Sequence, residues 1–372
     1  MKKVVCVFLV GLMALMSVPV GTFAAEGGLK IAILTSPSDV RDGSFNENNY
    51  NGILSFLRDH PDASVTPLVE KTGDVTAVLN LTEEVVADYD ILVCCGFQFS
   101  GITEIAQDNP EVRFILVDTW PVDAEGKDVE VENINAMKFR EQESGFLAGM
   151  AAALCSKTKK VAVVNGIAYP ANVNYQYGFM SGVHYANRHH GAGAEIVELP
   201  SYSGTDVTGA SVGGNYVGSF SDMVNGKVVG QALIREGCDV IFVAAGGSGN
   251  GVFTAAKEAK DVYVIGVDVD QYDDGANGSS NIILTSGLKV MDVNNARVLN
   301  EIVDGKFRGG NYLLGADTNS TGYVKKEGRC QLPGDVIEKI DHAFALMKTG
   351  VIVPAAFGNG MKPDSFKGLD AE

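Results

Sequence analysis

The residues with chemical potential in this chain gather where apolar runs end. Leu29–Thr35 is followed by Ser36-Pro37-Ser38-Asp39-Val40-Arg41-Asp42-Gly43-Ser44-Phe45-Asn46. Ile91–Cys95 leads into Gly96-Phe97-Gln98-Phe99, and Val112–Asp118 into Thr119-Trp120. In the second half Val161–Asn165 ends at Gly166, and Val240–Ala245 runs into Gly246-Gly247-Ser248-Gly249-Asn250-Gly251. Val262–Asp268 continues as Val269-Asp270-Gln271. Each run has the length and continuous apolar character of a strand buried on both faces. Ligands of open parallel sheets bind beyond the carboxyl ends of the strands. Carboxylates, aromatic faces and glycine-rich backbone are therefore expected on one rim.

Those residue types suit a flat, hydroxylated, uncharged ligand. Phe45, Phe97, Trp120 or Tyr175 could stack on a ring, a contact worth about 1–3 kcal/mol per base in nucleic-acid binders. Asp118 and Asp268 could accept hydrogen bonds from hydroxyls or ring N–H groups, and charge-assisted bonds are the stronger kind. The competing reading makes Phe45 a core residue at a helix start and the two aspartates salt-bridge partners or hinge caps. The run from Gly246 to Gly251, followed by Asp268 at the next strand end, invites comparison with a dinucleotide fingerprint, but its spacing is not Gly-x-Gly-x-x-Gly. A nucleoside would use the same features, with glycines admitting the ligand to the backbone and Asp268 taking a sugar hydroxyl. There is no His-Glu-x-x-His and no Walker loop. Asp270–Gly275 is acidic without calcium-loop spacing, and neither His189-His190 nor the cysteines offer a zinc set. The chain reads as a binding protein without cofactor or metal, not as an enzyme.

These rim residues need a frame, and the pattern supplies one. Helical periodicity over Asn48–Arg58, Val75–Ala87, Gln142–Cys155, Gly178–Asn187, Asp222–Arg235 and Gly251–Ala259 alternates with the strands. Repeated βα units imply parallel sheets covered by helices on both faces, two doubly wound lobes in a chain of 372 residues. The boundary is expected near Met137–Glu141. Later elements, the strand Ile282–Lys289 and the helices Asp292–Phe307 and Gly334–Lys348, return to complete the sheets, so several crossings would form a hinge beside a cleft.

The ends and the composition set the compartment. Met1-Lys2-Lys3, the apolar stretch Val4–Val20 and the small-residue segment Gly21–Ala25 form a cleavable signal peptide, with the cut near Ala24. Cys6 lies too early for a lipobox, which favours a free periplasmic or extracellular protein over a lipid-anchored one. A formal net charge of −17 disfavours nucleic acid and anionic membranes as partners. Cys94, Cys95, Cys155, Cys238 and Cys330 are odd in number and irregular in spacing, which is no disulfide framework.

Asp42-Gly43-Ser44-Phe45-Asn46 resembles the D-x-S-F-N loop of the basic-membrane-protein family, the purine nucleoside receptors of ABC importers. Phe114–Asp118 is similar to that family's F-x-x-x-D strand, and Phe139–Gly149 to its F-x-E-Q-E-x-x-F-L-A-G helix. Gly246–Gly249, Gly266–Gln271 and Thr285–Lys289 resemble its G-G-T-G, G-V-D-x-D-Q and T-S-x-L-K segments. The resemblance implies a type I periplasmic-binding-protein fold, with residues 25–138 and 270–310 in lobe 1 and 139–269 and 311–372 in lobe 2. It implies delivery of a nucleoside, purine favoured, by a monomer to permease and ATPase subunits. On matching positions Phe45 and Tyr175 would stack on the base and Asp118 would contact it. Gly246 or Gly247, Asp268 and Lys289 would hold the ribose. Asn46, Phe97 and Trp120 complete the expected site. Purine-binding members carry an Asp where this chain has Ser36, so the ribose side matches the family and the base side departs from it. A flavin-like ligand, or a sensor subunit presenting its loaded form, is the alternative reading.

Overall fold

The computed structural model of the chain describes residues 28–371, and the expected signal peptide lies outside the described residues. The first series runs β1 (Lys30–Thr35), α1 (Phe45–Asp59), β2 (Ser64–Val69), α2 (Val75–Val85), β3 (Ile91–Cys95), α3 (Thr103–Asp108), β4 (Arg113–Val117) and β5 (Ile134–Phe139). β1, β3 and β4 are apolar and buried almost throughout, as strands covered on both faces must be. β2 contains Pro67, which cannot donate to a ladder, and it stands at the sheet edge. That proline and its half-exposed pattern hide β2 from a reading based on apolar runs.

The second series begins with α4 (Glu141–Cys155), β6 (Lys160–Asn165), α5 (Pro170–His190) and β7 (Glu195–Ile196), then the small hairpin β8 (Gly204–Thr205) and β9 (Ser211–Gly213). It continues through α6 (Met223–Arg235), β10 (Val240–Ala244), α7 (Gly249–Glu258) and β11 (Tyr263–Asp268). A second hairpin, β12 (Ala276–Asn277) with β13 (Ser280–Asn281), precedes β14 (Ile283–Lys289). The described chain closes with α8 (Met291–Val303), β15 (Gly310–Leu314), β16 (Thr321–Tyr323) and α9 (Gly334–Lys348).

The first sheet has the order β15-β5-β4-β3-β1-β2 and every pairing in it is parallel. The second has the order β16-β14-β11-β10-β6-β7, parallel except where β16 meets β14. Both reverse strand order next to their first strand, between β1 and β3 and between β6 and β10. Those reversals open the crevices in which such sheets take ligands.

Two segments stand in the opposite lobe from the one expected. β14 lies inside residues 270–310 yet pairs with β11 in the second sheet. β15 (Gly310–Leu314) falls almost wholly in residues 311–372, expected in lobe 2, yet pairs with β5 in the first sheet. The β12–β13 hairpin returns the chain beside β11, where the apolar strand Ile283–Lys289 is buried on both faces. α8 then packs on α1 of the first lobe. The chain therefore crosses between lobes after β5, after β14 and after β15. Glu143 Oε2 accepts from Ala316 N, at 2.7 Å, and from the Thr321 hydroxyl, and Ser144 Oγ donates to Leu288 O at 2.6 Å. Side chains of one crossing thus tie down the other two.

α5 begins at Pro170, ahead of the expected Gly178, with proline at the first helical position where its missing N–H costs nothing. It lies against α4 at a separation only glycine permits. A Cβ on Gly149 would fall 2.0 Å from Phe179 O, and one on Gly182 would fall 2.0 Å from Phe146 O. Gly145 and Gly178 face backbone in the same way. This contact fixes the start of α5 over the cleft.

Candidate functional site

The strand-end loops meet between the lobes. Ser36, Phe45, Asn46, Phe97 and Asp118 from the first lobe, with Tyr175, Gly246, Asp268 and Lys289 from the second, line one cleft. The open space between its walls, including that continuous with solvent, is about 670 Å³.

One end of the cleft is charged. Lys289, 2 % exposed, places its ammonium 2.6 Å from Asp118 Oδ2, 3.7 Å from Glu141 Oε1 and 3.9 Å from Asp268 Oδ1. The same ammonium stands 4.8 Å from the Phe45 ring centroid and 5.7 Å from that of Tyr175. Burial alone would pull Lys289 down, but Asp118, Asp268 and Glu141 outweigh it and hold the ammonium above the ordinary lysine range. Burial pushes the Glu141 carboxyl up to about 7 against the pull of Lys289. Asp42 is pushed up to about 6 by burial, although the amides of Asn46, Ser44 and Glu47 all donate to it.

The two strand-end aspartates share a backbone conformation that non-glycine residues rarely hold, with φ of 70° at Asp118 and 66° at Asp268. Their hydrogen bonds differ. Asp268 takes the Tyr175 hydroxyl on Oδ1 at 2.8 Å and the Ser44 hydroxyl on Oδ2 at 3.0 Å. Asp118 takes Lys289 on Oδ2, while its buried Oδ1 has no partner.

The other end of the cleft is neutral. Gln98 Nε2 donates to Ser36 O at 3.2 Å, Asn46 Nδ2 to Ser38 O at 3.1 Å, and Asn172 Nδ2 to Ala244 O at 2.8 Å. A backbone carbonyl can only accept, so each contact fixes which end of the amide faces it. Phe97, Tyr169 and Phe220 follow one another at 5.2 Å and 6.0 Å between centroids, each pair tilted by 36°. Across the cleft, Ser38 Oγ donates to Phe220 O and Gln271 Nε2 to Gly43 O. With Ser44 on Asp268, these bonds join the lobes in a closed arrangement.

Two expected residues stand elsewhere. The left-handed turn at Asp118 carries the chain off the rim, and Trp120 packs with the apolar cluster under the first sheet. Its ring carries the Lys138 ammonium 4.1 Å from the centroid. Gly247 lies behind Phe220, where a Cβ would fall 3.2 Å from Phe220 O, and does not line the cleft as Gly246 does. Gln98, Tyr169, Asn172 and Phe220 line it without having been expected there. Gln98 could have been found from its place just beyond β3. Phe220 sits in a loop with no apolar run to mark it. The five cysteines among the described residues are free, with Cys94 and Cys95 buried in β3.

The sequence model of one family, described as Bmp, ABC transporter substrate-binding protein PnrA-like, matches residues 29–193 and 209–332. The chain belongs to this family. It is 30% identical over 342 residues to the ABC transporter nucleoside-binding protein BmpA of Lactococcus lactis subsp. cremoris, covering 87% of each chain. It is 27% identical over 318 residues to basic membrane protein A1 of Borrelia garinii subsp. bavariensis, covering 84% of this chain and 85% of that one. Among solved structures it is similar to an ABC transporter solute-binding protein of Aeropyrum pernix K1. The TM-score is 0.74 at 22% identity, over 89% of this chain and 94% of that one. The fold is the type I periplasmic-binding-protein fold, as the sequence led us to expect. This family member is an extracytoplasmic binding protein, not an enzyme, and serves a permease and an ATPase with a small-molecule ligand. Among the described residues no helix is long and apolar enough to cross a membrane.

Proposed function

We propose that the cleft captures a nucleoside, with its ribose at the charged end and its base toward the neutral, aromatic end, for delivery to the permease. The observation that carries this reading is the unpartnered, buried Asp118 Oδ1 beside Asp268 and Lys289. An unpaired buried acceptor costs about 1–3 kcal/mol, and a ligand hydroxyl would remove that cost. Strand spacing supports the direction. β1 and β4 are separated by β3, so Ser36 and Asp118 stand about 10 Å apart along the rim at ~4.8 Å per strand. That span suits a base joined to a sugar. Phe45 lines the cleft with its ring 4.8 Å from the Lys289 ammonium, and in this reading it packs on the ligand from the charged end.

Asp118, Glu141 and Asp268 surround a single ammonium, and Asp42 stands nearby. A surplus of carboxylates accepts hydroxyls and repels phosphate. The site is therefore read as one for nucleosides and not for nucleotides. The 30% identical relative named as nucleoside-binding agrees with this reading. We further infer that the chain is exported through cleavage near Ala24 and works as a monomer, its closed cleft needing no second copy.

The test is calorimetry on purified protein with adenosine, guanosine, their 5′-monophosphates and free ribose. Saturable heat with a nucleoside, at least ~100-fold weaker with its monophosphate and little with ribose, is the expected result. No heat with any nucleoside overturns the proposal.

A further inference from the structure

Ser36 lies just beyond β1 at the neutral end of the cleft, and its hydroxyl is already committed. Ser36 Oγ donates to Glu70 Oε2 at 2.9 Å. Glu70, 8 % exposed, also accepts from the Thr72 amide at 2.7 Å, the Thr72 hydroxyl at 2.6 Å and the Gly73 amide at 2.8 Å. With its one proton directed at a carboxylate, the Ser36 oxygen retains only lone pairs.

Resting on the nucleoside reading above, we propose that Glu70 holds Ser36 as a fixed hydrogen-bond acceptor and that this acceptor selects nucleosides whose base carries an exocyclic amino group. Glu70 does not line the cleft and is a positioning residue, whereas Ser36 is the residue that would meet the base.

The surroundings agree with that assignment. Gln98 donates one of its two amide N–H groups to Ser36 O, and its Oε1 takes no hydrogen bond among the described residues. That oxygen lies against the open side of Gly96, where a Cβ would fall 2.6 Å from it, and Gly96 lines the cleft. Beside Ser36, Gln98 therefore offers a free acceptor oxygen together with one remaining amide N–H. Burial would push the Glu70 carboxyl up, but the Thr72 hydroxyl and amide, the Gly73 amide and the Ser36 hydroxyl outweigh it and hold it below the ordinary glutamate range. The carboxylate is thus favoured as the partner of the Ser36 hydroxyl. A base edge that offers only lone pairs would face oxygen against oxygen. An amino group would satisfy it.

Two ligand pairs isolate one amino group each: adenosine against purine riboside, and guanosine against inosine. A site built to hydrogen-bond a ligand group rejects the analogue lacking it. Calorimetry is expected to show the amino member of at least one pair binding ~10-fold or more tightly, with the other pair following in the same direction. Ser36→Ala should bring that ratio below about threefold by weakening the amino member while leaving its partner unchanged. A merely structural role for Ser36 would weaken both members alike.

Glu70→Gln gives the second readout. Each Glu70 oxygen accepts from a backbone amide and a hydroxyl, so a Gln nitrogen at either place would face an N–H donor; the Ser36 hydroxyl should lose its fixed direction and the ratio should fall. Thermal unfolding of both variants reports whether the loop at Thr72–Gly73 is intact, and Ser36→Ala carries the test if Glu70→Gln is unstable. Equal affinities within both pairs for the wild-type protein overturn this inference alone. No binding of any of the four overturns it together with the nucleoside reading.

Discussion

Asp118 and Asp268 end neighbouring edges of the same cleft in the same left-handed backbone conformation, one from each lobe, yet they are wired differently. Asp268 is satisfied by Tyr175 of its own lobe and Ser44 of the other. Asp118 reaches across to Lys289 with one oxygen and leaves the other buried and unpaired. Two aspartates that look equivalent in the sequence therefore divide the work. Asp268 joins the lobes, whereas Asp118 keeps a whole oxygen free, which in the proposed reading is the one offered to the ligand. Lys289 connects them and, through Glu141, touches the first crossing of the hinge. Closure and recognition are built on one ammonium.

The strongest way to break that comparison is to remove the ammonium. Lys289→Met leaves Asp118, Glu141 and Asp268 without a cation. Deleting one partner of a buried pair typically costs about 3–5 kcal/mol. Urea unfolding should register a loss of that order, together with loss of nucleoside binding. A variant as stable as wild type would show that the carboxylates do not depend on Lys289. Next in size is Asp268→Asn. An amide can replace only one of the two acceptors used by Tyr175 and Ser44, so both the latch and a ligand contact suffer. Affinity should fall ~100-fold by calorimetry, and small-angle scattering should report a more open molecule.

Asp118→Asn sharpens the contrast, because the amide oxygen can still accept from Lys289 of the opposite lobe while the amide nitrogen takes the place of the unpaired oxygen. It should lower affinity ~10–30-fold without opening the lobes. Ser44→Ala removes a single neutral donor from the latch. At about 1 kcal/mol for one hydrogen bond, it should weaken binding roughly fivefold. If Asp118→Asn opens the protein more than Asp268→Asn does, the assignment of latch and ligand acceptor is reversed.

Much of this was legible before the fold was known, for a physical reason. Buried parallel strands are written as continuous apolar runs, and the residue just beyond each run must lie on the rim. Phe45, Asp118, Asp268 and Gly246 are placed on the cleft by that rule, and the motif resemblance added Lys289. Trp120 satisfies the same rule and lies elsewhere, because one left-handed residue redirects the chain and no sequence pattern announces it. β14 was expected in the wrong lobe because apolarity identifies a strand and not its neighbour. Glu70 was invisible, since it follows an edge strand interrupted by Pro67 and acts only through Ser36. The glycines at 145, 149, 178 and 182 carry the needed spacing, but glycine in a helix reads as weakness until the backbone it faces is known.

The smallest expected effect concerns Glu141, the member of the cluster nearest the hinge. Its carboxyl is held up to about 7 by burial, with Asp118 adding repulsion and Lys289 opposing both. A carboxyl raised in the folded state keeps its proton while the unfolded chain loses it. The associated stability is present below the unfolded value of about 4.5 and is lost as pH rises through about 7. Asp42, held up to about 6, acts in the same direction over a lower window. His184 and His190 oppose both, because burial pulls them below the ordinary histidine value and their contribution is lost as pH falls. The wild-type profile alone therefore mixes signs, and the difference between wild type and Glu141→Gln removes everything but Glu141. Gln cannot titrate and can still accept from Asn174, which donates to Glu141 Oε2 at 2.8 Å. Urea midpoints taken from pH 5 to pH 8 should show the Gln variant gaining on the wild type as pH rises, with most of the gain before pH 7.5. A difference that stays flat over that window would mean that Lys289 keeps Glu141 ionised, and the ammonium would then balance three full charges at the hinge.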